Sequence, residues 1–321
     1  MAIVLQKITF YLLILAFFVE VLLIGAQFLE KKETTTPKRE MIEHRADQKM
    51  ERVHLVEGLG SSKEWELFAE AAEGFIGQGV WNLQKVKVIF YASTGDSYVV
   101  QGERGQIDVG SKDIDVVGNV STQSTNGYEL ATPALHYRSK SKVLSAPEAL
   151  SLGGPKDQSG QRLKLRGVGI TTFLENSLMN IESAVVAERQ LSNGKILKIR
   201  SQKAQLSGRS NMVRFYNTVN MDYDTFSVQG PEALFAYKSG TDVPKAIVVN
   251  GGVQVSDVEK KATAENLQID VSEDRYVFRG SPRVIQGADE IKGEQITFLD
   301  GGKKVRIENI RARVEEDKEI K

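Results

Sequence analysis

Cysteine is absent from this chain of 321 residues, which excludes disulfides, thiolate metal sites and thiol nucleophiles and leaves the redox compartment open. Histidine is scarce. Only His44, His54 and His136 occur, two in a charged stretch and one in an alternating strand pattern, which argues against an imidazole metal centre or a Ser-His-Asp triad. No glycine-rich phosphate loop opens a helix, and no helical periodicity of useful length follows residue 62. A net charge is also lacking. The 42 basic and 42 acidic residues cancel, so nothing points to a polyanionic partner such as nucleic acid. The acidic cluster Asp108, Asp113 and Asp115 in GQIDVGSKDID could suggest calcium or paired carboxylates, but alternating strand positions make these outward-facing acids. The chain reads as a non-enzyme with no metal and no cofactor.

One long apolar run is present. Residues 8–29, ITFYLLILAFFVEVLLIGAQFL, are long enough to cross a hydrocarbon core as a helix. Their 15 Ile, Leu, Val and Phe residues, at up to roughly 0.5 kcal/mol each, outweigh the roughly 2.5–3.5 kcal/mol cost of Glu20 at mid-helix. The run exceeds a usual signal-peptide core and no small-residue cleavage site follows near Ala26, so an uncleaved anchor is expected. Glu20 either snorkels or faces a partner's transmembrane helices. Residues 1–7 are read as cytoplasmic, and the charged residues 30–62 as a linker with transient helix around 38–52.

The rest of the chain carries an internal repeat. A template of alternating apolar positions with a small residue at its fifth place recurs at Ala69, Gly102, Thr132, Gly167, Ser201, Gly230, Ala264 and Gly293, 29–35 residues apart. YVVQGERGQI, LKLRGVGITT and FSVQGPEALF are representative, and each unit adds a second alternating strand such as KDIDVVGNV or KAIVVNGGVQV. Short polar turns fall at 93–96, 140–142, 272–274 and 300–303. A period near 30 built only of strands predicts stacked β-units, none able to bury its own face alone. The fold class expected is all-β, an elongated two-sheet jellyroll or solenoid of antiparallel rungs behind one transmembrane helix.

Strict alternation selects the residues that point inward. The candidate interior comprises Val100, Ile107, Val116, Leu135, Tyr137, Leu144, Ile181, Ile199, Phe215, Val219, Phe235, Val249, Ile269, Phe278, Ile296 and Phe298. The same alternation adds Ile114, Val120, Leu130, Leu165, Val185, Leu206, Val228, Val253, Val284 and Ile291. A packed core accounts for any one of them, whereas together they form a continuous apolar lining that could open to hold acyl chains. The strand KKVRIENIRARV at 303–314, with Val305, Ile307, Ile310 and Val314, is either a docking edge for a partner or a self-protecting edge strand.

Residues 63–190 resemble the LptC type of lipopolysaccharide-export protein, through GNV, GYELAT, LHY and the serine that follows. Residues 191–316 resemble the LptA, or OstA-like, type through AENLQID, FRGSPRV and IKGEQITF; an acidic tail, 317–321, closes the chain. The resemblance implies a β-jellyroll bridge for lipopolysaccharide. It would be anchored in the inner membrane with its body in the periplasm, fed by an ABC transporter, and would run towards an outer-membrane translocon or further bridge subunits. Both halves lie in one polypeptide here, with a seam near 188–195 or, alternatively, in the Gly/Pro-rich loop at 151–160. The other function class left open is a membrane-anchored β-solenoid scaffold or spacer without lipid cargo.

Overall fold

The computed structural model describes residues 48–60, 62–74, 77, 79–156, 160–190, 194–237, 244–299, 304–309 and 311–313. The expected anchor at 8–29, Glu20, the cytoplasmic residues 1–7 and the tail 317–321 lie outside them. No helix among the described residues is long and apolar enough to cross a membrane.

Strands account for nearly everything described. In chain order they are β1 (Gln48–Leu59), β2 (Ser62–Gly74), β3 (Val80–Tyr91), β4 (Ser97–Asp108), β5 (Ile114–Ser124), β6 (Glu129–Arg138) and β7 (Val143–Gly153). There follow β8 (Lys164–Phe173), β9 (Leu178–Gln190), β10 (Ile196–Ser201), β11 (Lys203–Ser207), β12 (Met212–Tyr223), β13 (Phe226–Tyr237) and β14 (Pro244–Ser256). The last are β15 (Lys260–Asp270), β16 (Arg275–Arg279), β17 (Arg283–Gln286), β18 (Asp289–Lys292), β19 (Gln295–Leu299), β20 (Lys304–Glu308) and β21 (Arg311–Arg313). All pairing is antiparallel, and the long strands pair with their sequence neighbours, as β3 does with β2 and β4 and β14 with β13 and β15. The outcome is one uninterrupted meander. The turn expected at 300–303 falls outside the described residues.

Most of the long strands bend near their middle. The register slips between Gln101 and Arg104 in β4, Val117 and Val120 in β5, Gln229 and Glu232 in β13, and Asn250 and Val253 in β14. Elsewhere the bend cuts a strand in two, giving the pairs β10 with β11 and β16 with β17. Such bulges re-aim the chain, so each strand contributes its first half to one layer and its second half to another. Residues 97–102 of β4, for instance, pair with the end of β5, and 104–108 with its start.

The small residue of the repeat sits at this bend, for a steric reason. A Cβ on Gly102 would lie 2.5 Å from Val116 Cγ1, on Gly167 2.6 Å from Ile181 Cγ2, and on Gly230 2.6 Å from Val249 Cγ1. The neighbouring strand's inward side chain fills the space. On the intervening strands the bend takes a left-handed residue instead: Arg52, Lys85, Asn119, Ala184 and Thr218 all have positive φ. At Asn119, Ala184 and Thr218 the register slips as well, and the conformation costs a β-branched residue such as Thr218 on the order of 1–3 kcal/mol.

The linker expected at 30–62 ends sooner than its charge suggested. Residues 48–59 form β1, paired with β2 from Gln48 opposite Gly74 to Leu59 opposite Ser62. Val53 is buried, Leu55 packs against the same cluster, and His54 stacks on Phe68 at 4.3 Å. Residues 48–52 are exposed throughout but pair with β2, and Val53 and Leu55 supply the apolar contacts, so 48–52 is strand and not transient helix.

A carboxylate fastens this first hairpin. Glu66 is buried and accepts from Lys63 Nζ at 2.7 Å and Tyr91 Oη at 2.8 Å, with His54 Nε2 at 3.2 Å. The Lys63 ammonium first and the Tyr91 hydroxyl second hold its pKa down at about 2, from a usual 4.5, against the opposing effect of burial. A depressed carboxylate stabilises the fold above its unfolded pKa, and that contribution is lost as pH falls through the folded one. Wild-type protein is therefore expected to lose thermal stability between pH 4.5 and 2 more steeply than Glu66→Gln, which starts lower at neutral pH. Parallel melting-temperature profiles for the two proteins would contradict this.

Candidate functional site

The interior between the layers is where the alternating apolar residues meet. Those expected to point inward are buried, except Leu130, Ile269, Ile291 and Phe298, which are half-buried. Phe90 of β3 and Tyr137 of β6 meet across the layers at 4.5 Å between ring centroids. Phe215 packs edge-on to Phe235 at 5.5 Å, and Phe278 to Phe298 at 5.7 Å. Burial of a phenol in such surroundings disfavours its anion. Tyr137 is pushed up to about 12 by burial, reinforced by Glu64.

Two clusters make up this interior. One runs from Val53 to Leu144 and takes in Leu174; the other runs from Ala146 to Ile296. Their division falls within β7. The second cluster crosses the expected seam without a break, since Ile181, Val185 and Ala187 of β9 belong to it with Ile199 of β10 and Leu206 of β11. Hydrogen bonding is equally continuous there: β9 pairs with β10 from Gln190 opposite Ile196 to Val185 opposite Ser201.

Between the clusters the interior opens. A cavity of ≈ 30 Å³ lies among Leu130, Leu135, Leu144, Leu152, Ile170 and Met179, with the hydroxyl-bearing Tyr98, Thr122, Ser124, Tyr128, Ser145 and Thr172. A neighbouring cavity of ≈ 140 Å³ shares Tyr98, Tyr128, Thr172 and Met179, and reaches Pro155, Leu163, Leu206, Met212 and Tyr237. Its walls come from the margins of both layers, with Tyr98 and Tyr128 on one and Met179, Leu206 and Tyr237 on the other. It is a mouth. Farther along the same margin Phe226 faces Tyr276 at 6.2 Å between ring centroids. Burial raises the Tyr98 phenol, aided by Asp96, and raises that of Tyr128, so both stay neutral donors.

Of the residues of this mouth, the sequence-derived interior included Leu206 but not Tyr98, Tyr128, Leu163, Met179 or Tyr237. Tyr98, Tyr128 and Leu163 each occupy the first apolar position of a repeat unit, four residues before Gly102, Thr132 and Gly167. That regularity was the available signal. What it could not convey is that the two strand margins face each other once the strands bend.

The acidic cluster is structural. Asp108 Oδ1 accepts from the backbone N–H groups of Gly110 and Ser111 at 2.8 Å each, shaping a turn. Asp113 Oδ1 accepts from Ser139 N at 2.9 Å; Asp115 Oδ1 accepts from Arg138 Nη1 at 2.8 Å and lies 2.8 Å from His136 Nδ1. Among the described residues no group of histidines and carboxylates could hold a metal ion.

At the C-terminal edge, β20 pairs with β19 and β21 with β18. Val305 is exposed, whereas Ile307 is half-buried and packs against the second cluster. Ile310 and Val314 lie outside the described residues.

Comparison with known proteins assigns both parts of the chain. A family described as lipopolysaccharide-assembly, LptC-related, matches residues 12–188, more than half of the sequence. A second, described as LptA/(LptD N-terminal domain) LPS transport protein, matches residues 198–300. Among solved structures, LptH of Pseudomonas aeruginosa, the LptA-homologous periplasmic component of the conserved lipopolysaccharide transport device, is similar at 14% identity and a TM-score of 0.34. That similarity covers 37% of this chain and 95% of LptH. No curated protein matches this chain.

Proposed function

The chain belongs to the LptC-related family of lipopolysaccharide-assembly proteins, and from that premise we propose that it takes lipopolysaccharide from an inner-membrane ABC transporter and passes it along the apolar interior towards the outer membrane. It is an LptC-type part fused to an LptA-like part, and both families serve transport without catalysis. The continuity of ladder and core through β9 and β10 carries the reading, because the interior of one part runs into that of the other. A lipid in transit needs such continuity. Exposing an acyl chain to water costs about 0.8 kcal/mol per CH₂, so any wet gap is a barrier of several kcal/mol.

In this reading residues 8–29 anchor the chain in the inner membrane, and the family match begins at residue 12, inside that run. Glu20 faces the transporter's transmembrane helices. The parts 63–190 and 191–316 form the receiving and bridging halves in the periplasm. The edge with Val305, Ile307, Ile310 and Val314 pairs with the outer-membrane translocon or further bridge subunits by strand addition.

The close packing of the first cluster, where Val88, Phe90, Ile114 and Val116 have no exposed surface, favours the second reading, a dry spacer. One experiment separates them. A photo-crosslinking residue at Phe215 or Phe278 is expected to capture lipopolysaccharide in cells, while one at the outward neighbours Arg214 or Arg279 is not. Adducts from the outward positions alone would establish the spacer.

A further inference from the structure

Within the apolar interior, polar groups gather at one place, the cavity between the two clusters. Thr122 is the informative residue there. It is 8% exposed, and its hydroxyl is buried with no hydrogen-bond partner. Alternation along β5 turns Val120, Thr122 and Ser124 inward and Ser121 and Gln123 outward, and Thr122 is one of the residues lining the cavity. Buried hydroxyls are nearly always paired, so an unpaired one calls for a partner, a water or a ligand.

The surroundings say what that is. Ser124 is already committed, donating to Asn126 Oδ1 and accepting from Tyr128 N at 3.0 Å. Tyr98 and Tyr128 make no side-chain hydrogen bond to any described residue through their phenols. Leu130, Leu135, Leu144 and Ile170 close the remaining wall. With ≈ 30 Å³ the cavity takes one small hydrogen-bond acceptor, and its apolar surroundings suit an acceptor flanked by apolar groups. The carbonyl of an acyl ester or amide has that form, and the adjoining mouth through Met179 and Tyr237 gives it a way in.

We infer that Thr122, with the phenols of Tyr98 and Tyr128, forms a hydrogen-bonding subsite that holds the carbonyl of an acyl chain at the division between the two apolar clusters. The subsite rests on the lipid-carrier reading and adds to it a stopping point. An acyl chain moving along a purely apolar lining has no preferred position, whereas a donor at one place sets a register for it.

The test uses the full-length chain in detergent micelles and two photoreactive probes of equal length, a long-chain acyl ester and the corresponding hydrocarbon. Thr122→Val keeps the shape and removes the hydroxyl; Thr122→Ser keeps the hydroxyl. The valine variant is expected to melt at or above the wild-type temperature, because an unpaired polar group has been removed. It should also bind the ester about 5–10-fold more weakly with hydrocarbon binding unchanged, and the serine variant should restore ester binding. Equal ester binding by wild type and Thr122→Val would overturn the subsite, leaving the hydroxyl as the partner of an enclosed water. If wild type binds neither probe, the carrier reading fails along with it.

Discussion

Phe215→Ala is expected to cost about 4 kcal/mol of folding stability, the range for truncating a fully enclosed phenylalanine. Phe215 is 1% exposed, packs edge-on against Phe235 at 5.5 Å, and sits inside the larger of the two apolar clusters. Removing the ring leaves a void that rigid strands on both layers cannot collapse into. Against a total stability of about 5–15 kcal/mol the loss is large, and denaturant titration of the variant beside Val168→Ala, at a position 40% exposed, would read it directly. A loss below about 1 kcal/mol would mean that the interior at Phe215 stands open in the empty protein.

A second large effect is expected at a bend. Gly102→Val places a branched side chain where a single Cβ already lies 2.5 Å from Val116 Cγ1 and 3.3 Å from the Val117 carbonyl oxygen. Neither neighbour can yield, because Val116 is fully buried and the Val117 carbonyl belongs to the slipped stretch of the ladder. Overpacking of this kind costs about 3 kcal/mol, a drop of about 6 °C or more in melting temperature for a domain of some 200 residues. Gly60→Ala is the comparison: no atom lies within 4 Å of its Cβ, though its positive φ leaves a small strain. Unchanged melting of Gly102→Val would mean that the bend does not rely on close approach of adjacent strands.

Much of the fold was legible because alternation is a local property. Which face of β4, β5, β12 or β13 turns inward follows from residue type two by two, and the burial of Val100, Val116, Phe215 and Phe235 agrees with it. The recurring small residue was equally visible. Its cause was not, since the atom that excludes a side chain at Gly102 belongs to Val116 on the next strand. β1 was hidden by composition: Lys49, Glu51, Arg52 and Glu57 read as linker until pairing with β2 brings Val53 and Leu55 into the first cluster. The mouth was legible only as a recurring first apolar position, not as a place. Tyr128 and Met179 lie some fifty residues apart, and only the bending of strands into two layers brings their margins together. Nor does a regular repeat announce that the apolar interior divides near Leu144 and Ala146 rather than where the two families meet.

The pairing of β9 with β10 has a consequence for how such a bridge responds to protein concentration. Where two separate chains join by strand addition, the fraction joined follows mass action, so a fall in copy number empties the joint. Here both partners of the joint lie on one polypeptide, with Gln190 opposite Ile196 and five residues between them in sequence. Closure is intramolecular, and the effective concentration is set by the short connection. Neither dilution nor unequal expression of two components can open the bridge at this point.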